Sequence, residues 1–111
     1  MISQRDYKVL KKLLFETKDI LDFTKNFTFE KFIKDGKTKK AVAMSMINMG
    51  ELVKLLSDEF KLANSNMPFK AITTTRHIAA HEYQELRFDY IWEAIQKDIP
   101  DLKTKIEKLL K

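Results

Sequence analysis

Between Arg76 and Tyr83 the chain reads Arg-His-Ile-Ala-Ala-His-Glu-Tyr, and this stretch holds its only two histidines, His77 and His81. An arginine can hold a phosphate in a fork of charged donors. A histidine moves a proton near neutral pH, and a tyrosine offers a hydroxyl that donates, accepts or is modified. Those three residue types within eight positions point to work on a phosphodiester.

On a straight helix at about 100° per residue, Tyr83 returns to within roughly 20° of Arg76, while His81 lies about 140° away. One helix cannot aim all three at one point. Either the helix ends near Ala80, so that His81 swings round, or another surface completes the site, most simply a second copy of the chain. His77 and His81 share a face as an i, i+4 pair, which is a two-ligand start for zinc. The chain has no cysteine and offers no obvious third ligand, so no metal and no cofactor is expected. A further reading packs both imidazoles into the core with no chemistry at all.

The elements that must position these residues read as helices. Two glycines and two prolines in 111 residues leave little turn chemistry for hairpins, whereas lysine, leucine, glutamate and alanine favour helix. The length suits one domain, residues 1–111, with a core that needs no staples. Zero cysteines exclude a disulfide framework. No apolar run approaches the roughly 20 residues needed to span a bilayer, and the opening Met-Ile-Ser-Gln-Arg-Asp has no signal-peptide core behind it. A soluble cytoplasmic protein with no membrane partner is expected. The net charge of +5 suits an anionic partner such as RNA or an acidic protein.

Ser3 and Asp6 make a capping box ahead of a helix from about Arg5 to Thr24, with Leu10, Leu13, Leu14, Ile20 and Leu21 at helical period. Asn26 to Lys34 predicts one or two turns pinned by Phe27, Phe29 and Phe32. Asp35-Gly36-Lys37-Thr38 is the clearest break, with Thr38 as cap for the next helix. From Ala41 the sequence is apolar on nearly every face, including Met44, Met46 and Met49, so this helix must be covered on two or more sides. Asn64, Ser65 and Asn66 close it.

Inside that helix Gly50 costs about 1 kcal/mol against alanine, which predicts close approach of another helix backbone. Buried, Asn48 or Glu51 would need a polar partner, and Arg76 is the candidate for Glu51 because a carboxylate would pre-aim the guanidinium, the alternative being that Glu51 simply faces water. A third long helix runs from about Pro68 towards Tyr83. A short helix then carries Ile91, Trp92 and Ile95. Pro100 fits the first turn of a last helix striped with Leu102, Ile106, Leu109 and Leu110.

Arg76, four residues, His81, Glu82 and Tyr83 resemble the Arg-x4-His-x-Tyr motif of HEPN domains, and specifically the HepT-like toxins paired with minimal nucleotidyltransferases. Asn48-Met49-Gly50-Glu51 is similar to that family's Asn-x-Gly-Glu element. Met67-Pro68-Phe69 resembles its pre-motif Pro segment, where tryptophan is more usual near Phe69. Trp92 with Asp98-Ile99-Pro100-Asp101-Leu102 resembles its closing pattern. His77 stands where the family often has asparagine.

The resemblance implies an all-α, up-and-down bundle of four to five helices, homodimeric, with Arg76 and His81 of both copies lining one cleft. It implies metal-independent RNA cleavage by the toxin of a type VII-like toxin-antitoxin system. Arg76 would hold the scissile phosphate and His81 would act as general base or acid. Asn48, Glu51 and His77 would support them. Tyr83 matches the tyrosine that a cognate nucleotidyltransferase antitoxin modifies with AMP. The alternative is a non-catalytic helical module that docks on or regulates a nucleotidyltransferase.

Overall fold

The computed structural model describes residues 2–81 and 87–111, which form seven helices and no strand. They are α1 Gln4–Phe23, α2 Phe29–Lys34, α3 Gly36–Leu55, α4 Asp58–Ala63, α5 Phe69–His81, α6 Phe88–Gln96 and α7 Asp98–Leu109. Four are long and three are short. The expected all-α bundle is therefore present, with more segments than four to five because the three short helices add to the four long ones and the stretch expected to run on to Asn64 is broken into α3 and α4.

Helix α1 starts at Ser3, whose hydroxyl accepts from the Asp6 amide at 3.0 Å. The other half of the expected capping box is absent. The Asp6 carboxylate, buried at 3 % exposure, instead accepts from the Ser57 amide at 2.9 Å and the Ser57 hydroxyl at 2.6 Å. That commits Asp6 to a residue far along the chain, and it accounts for the break between α3 and α4. The apolar stretch expected to continue to Asn64 stops at Leu56, whose backbone is extended, and restarts as α4 behind Ser57 as N-cap. Ser57 thus donates its hydroxyl proton to Asp6 while accepting from the Phe60 amide.

After α1 the chain reverses at Asn26, which adopts the left-handed conformation (φ 63) that asparagine tolerates better than most residues. Thr28 caps α2, and Phe32 drops into the core against Phe88 and Trp92. Phe27 and Phe29 are half-buried. Helix α3 begins earlier than expected and under a different cap. Asp35, not Thr38, is the N-cap, its carboxylate accepting from the Thr38 amide at 3.0 Å. A carboxylate caps at least as well as a hydroxyl, and the earlier of the two residues wins.

Helix α3 is the centre of the fold, packed between α1 and α5, as its many-sided apolar character requires. Val42, Met46, Met49 and Val53 enter the core with Leu10, Leu13 and Ile20 of α1. Ile72 and Ile78 of α5, and Ile99, Leu102 and Ile106 of α7, close it. Pro100 lies in the first turn of α7, and Lys105 pins that helix to the Asn66 carbonyl at 2.6 Å. No helix among the described residues is long and apolar enough to cross a membrane.

Candidate active site

Helices α3 and α5 cross where α3 has no side chain. A Cβ built on Gly50 would lie 2.2 Å from Cγ and 2.4 Å from Cβ of Arg76. The glycine is a notch for the arginine stem, and it is this stem, more than a backbone, whose approach the residue permits. Any side chain there would push Arg76, and α5 with it, off α3.

One residue on, Glu51 accepts from Arg76 Nη2 through Oε1 at 2.6 Å. The pairing expected from sequence is present. Glu51 is exposed and Arg76 half-buried, so the pair lies at the protein surface with the guanidinium fixed by its stem and by one end of its fork. Hydrogen bonding from Arg76 first, and the nearby Lys54 ammonium second, hold the Glu51 carboxyl below its ordinary range. It is therefore ionised wherever Arg76 needs it. The Arg76 Nε–H is buried with no partner among the described residues, which leaves donor capacity on this guanidinium.

His77 and His81 are both exposed, with ring centroids 4.9 Å apart. This removes the reading in which they pack as core residues. Helix α5 runs through His81, so it does not end at Ala80 to swing that imidazole towards Arg76. On one chain, Arg76 and His81 leave the helix in different directions. No three His, Asp or Glu side chains among the described residues come together as a metal-holding group. Tyr83 lies outside the described residues.

Asn48 is exposed, and its amide donates to Glu16 Oε2 of α1 at 3.5 Å. No sequence signal pointed to Glu16. Asn48 and Glu51 border an open groove of about 460 Å³ between α1 and α3, lined also by Phe15, Leu52 and Leu55. Met44, Asn48, Glu51 and Leu55 recur at helical spacing along α3 and are all exposed. The polar residues of the site thus sit inside a stripe with apolar ends.

Comparison with known proteins finds relatives matched over nearly the whole chain. The family model described as "Ribonuclease HepT-like" matches residues 13–109. A candidate RNase of Methanocaldococcus jannaschii is 35% identical over 99 residues, covering 89% of this chain and 82% of that protein. Another from Caldanaerobacter subterraneus subsp. tengcongensis is 34% identical over 110 residues, covering 99% and 96%. The "Probable ribonuclease HepT" of Thermococcus cleftensis is 32% identical over 109 residues, covering 98% and 97%. No solved structure matches the chain. With nearly its full length matched, the chain belongs to the HepT-like ribonuclease family.

Proposed function

We propose that this chain is an RNA endonuclease that acts as a homodimer and serves as the toxin of a toxin-antitoxin pair. The observation that carries the reading is the fixed Arg76, seated on Gly50 and held by Glu51 beside exposed imidazoles, in a chain of this family. The divergence of Arg76 and His81 on α5 supports the dimer, because a second copy can bring its own His81 to the phosphate that Arg76 holds. The exposed Met44 and Leu55 on the same stripe as Asn48 and Glu51 offer apolar area for that contact.

In the cleavage step, His81 takes the proton from a ribose 2′-hydroxyl and the 2′-oxygen attacks phosphorus. The bond to the 5′-oxygen breaks, and that oxygen leaves with a proton from the second His81. Arg76 stabilises the charge that builds on the phosphoryl oxygens. No metal is required in this scheme. Regulation enters at Tyr83. Its phenolic oxygen, giving up its proton, attacks the α-phosphorus of ATP on a partner nucleotidyltransferase, pyrophosphate leaves, and the resulting AMP ester adds negative charge and bulk two positions along the chain from His81.

The test is cleavage of single-stranded RNA by the purified protein in chelator. Cleavage is expected from the parent and lost by a hundredfold or more in Arg76→Ala and His81→Ala. A protein that binds a nucleotidyltransferase yet leaves RNA intact, with or without metal, would instead be the non-catalytic module. Intact mass after incubation with the nucleotidyltransferase and ATP, compared with Tyr83→Phe, tests the modification.

A further inference from the structure

The charge of this protein is concentrated in one place. Residues 31–40 hold five lysines and a single acid, so the other 101 residues carry a net charge of only +1. Elsewhere lysines are interleaved with carboxylates, and three of them form ion pairs among the described residues, Lys54 with Glu51, Lys103 with Glu107 and Lys105 with Asp101. Lys31, Lys34, Lys37, Lys39 and Lys40 make no ion pair among the described residues. The one acid, Asp35, is committed to the Thr38 amide as the cap of α3. Two of the lysines lie over aromatic rings, Lys31 at 4.4 Å from the Phe27 centroid and Lys39 at 4.9 Å from that of Phe88. Lys34, Lys37 and Lys40 are exposed.

The location of this cluster relative to the site comes from the helix directions. Helices α3 and α5 cross at Gly50 and Arg76, and Lys39 in the first turns of α3 lies over Phe88, which follows the end of α5 in the chain, so the two helices run in opposite directions. From Arg76 to His81 is about 7.5 Å along α5, and from Gly50 back to Lys40 is about 15 Å along α3 in the same direction. The lysines therefore begin just beyond His81 on the same end of the bundle. A strand of RNA leaving Arg76 past His81 meets them next.

We propose that the lysine-rich junction of α2 and α3 is an RNA-binding subsite that grips the backbone of single-stranded RNA on one side of the scissile linkage. The inference rests on the RNA-cleavage reading for the identity of the ligand. Ammonium groups spaced along a short run of chain, with only the Phe27 ring half-open beneath Lys31 and Phe88 buried beneath Lys39, suit the backbone of a flexible single strand better than a rigid duplex.

The variant Lys34→Glu/Lys37→Glu/Lys40→Glu tests it, with the corresponding triple Gln variant as a check that charge reversal does not disturb the fold. For a long single-stranded RNA, KM is expected to rise tenfold or more with kcat within about twofold. The slope of log(kcat/KM) against log salt should become shallower by about 2, since each neutralised phosphate on a single strand contributes about 0.7. Cleavage of a dinucleotide should not change. Equal KM and equal salt slope in parent and variants would overturn the subsite. So would intact RNA handling combined with loss of binding to an acidic protein partner, which would assign the lysines to that partner instead. The two readings separate in an anisotropy titration of labelled RNA on the Arg76→Ala protein. Lysine-dependent binding with no cleavage by the parent would remove the nuclease and keep the subsite, whereas cleavage indifferent to the lysines would do the reverse.

Discussion

The stem of Arg76 runs across α3 at Gly50 so closely that no side chain fits between them, and its guanidinium then reaches the next residue, Glu51, at 2.6 Å. Two adjacent residues of one helix therefore fix both the path and the end of a single side chain on another.

Gly50→Ala should therefore impair the site without replacing any ionisable group. The added methyl collides with Cγ and Cβ of Arg76; Cγ moves only by a rotamer change that takes the guanidinium away from Glu51, and Cβ only if α5 moves. Overpacking of this kind costs about 1–3 kcal/mol, against which alanine returns up to about 1 kcal/mol of helix propensity. A modest drop in Tm with a tenfold or greater loss of kcat/KM is expected. Equal activity in Gly50→Ala and parent would show that the position of Arg76 is not critical.

Glu51→Gln keeps the shape of the side chain but removes the charge that holds the arginine. The Glu51 carboxyl is held below its ordinary range by Arg76, so the pair is intact above the ordinary carboxylate pKa and lost as pH falls through the lowered one. At neutral pH the variant should cut RNA several-fold more slowly with unchanged circular dichroism. Because the parent carboxylate does not titrate near neutrality, the activity ratio of the two proteins should stay flat across that range.

Asp6 governs acid stability. Burial alone would raise its pKa, but hydrogen bonds from the Ser57 hydroxyl and amide, and from Ser3, together with the nearby Arg5, outweigh burial and leave it lowered. A lowered folded-state pKa contributes stability that is present above the unfolded value of about 3.9 and is lost as pH falls through the folded one. Asp6→Asn should therefore lower stability at neutral pH by about 1–3 kcal/mol, a gap that narrows in acid. Urea unfolding of both proteins at neutral and acid pH measures it.

The proposed dimer face can be broken at its apolar ends. Met44 and Leu55 are 58% and 47% exposed on the α3 stripe that carries Asn48 and Glu51. Met44→Glu/Leu55→Glu should give monomers in sedimentation at concentrations where the parent is dimeric, with loss of RNA cleavage and an unchanged helical spectrum. A parent that sediments as a monomer while cutting RNA would end the shared-cleft mechanism.

Helical periodicity alone predicts α1, α5 and α7, and the apolar surround of α3 predicts its central place. The pairing of Arg76 with Glu51 was legible because a guanidinium and a carboxylate on closely packed helices need each other. What was not legible depends on choices between near-equal local signals or on partners far along the chain. Asp35 and Thr38 can both cap a helix, and only the fold selects Asp35. The break at Ser57 is made partly by Asp6, 51 positions away, and no local window contains that information. Glu16 meets Asn48 across 32 positions for the same reason. The direction of His81 required knowing that α5 persists through it.

The clamp between Asp6 and Ser57 has a consequence for assembly of the chain. Half of the instruction to bend at Ser57 is local, the serine capping its own helix, and half arrives only when α1 docks. Without that second half, only the serine cap bends the stretch from 36 to 63. The corner that delivers the chain to α5, and so brings Arg76 round to its notch, is finished by Asp6 in the first helix. Nuclease competence would then appear late, as a property of the completed bundle and of no smaller part.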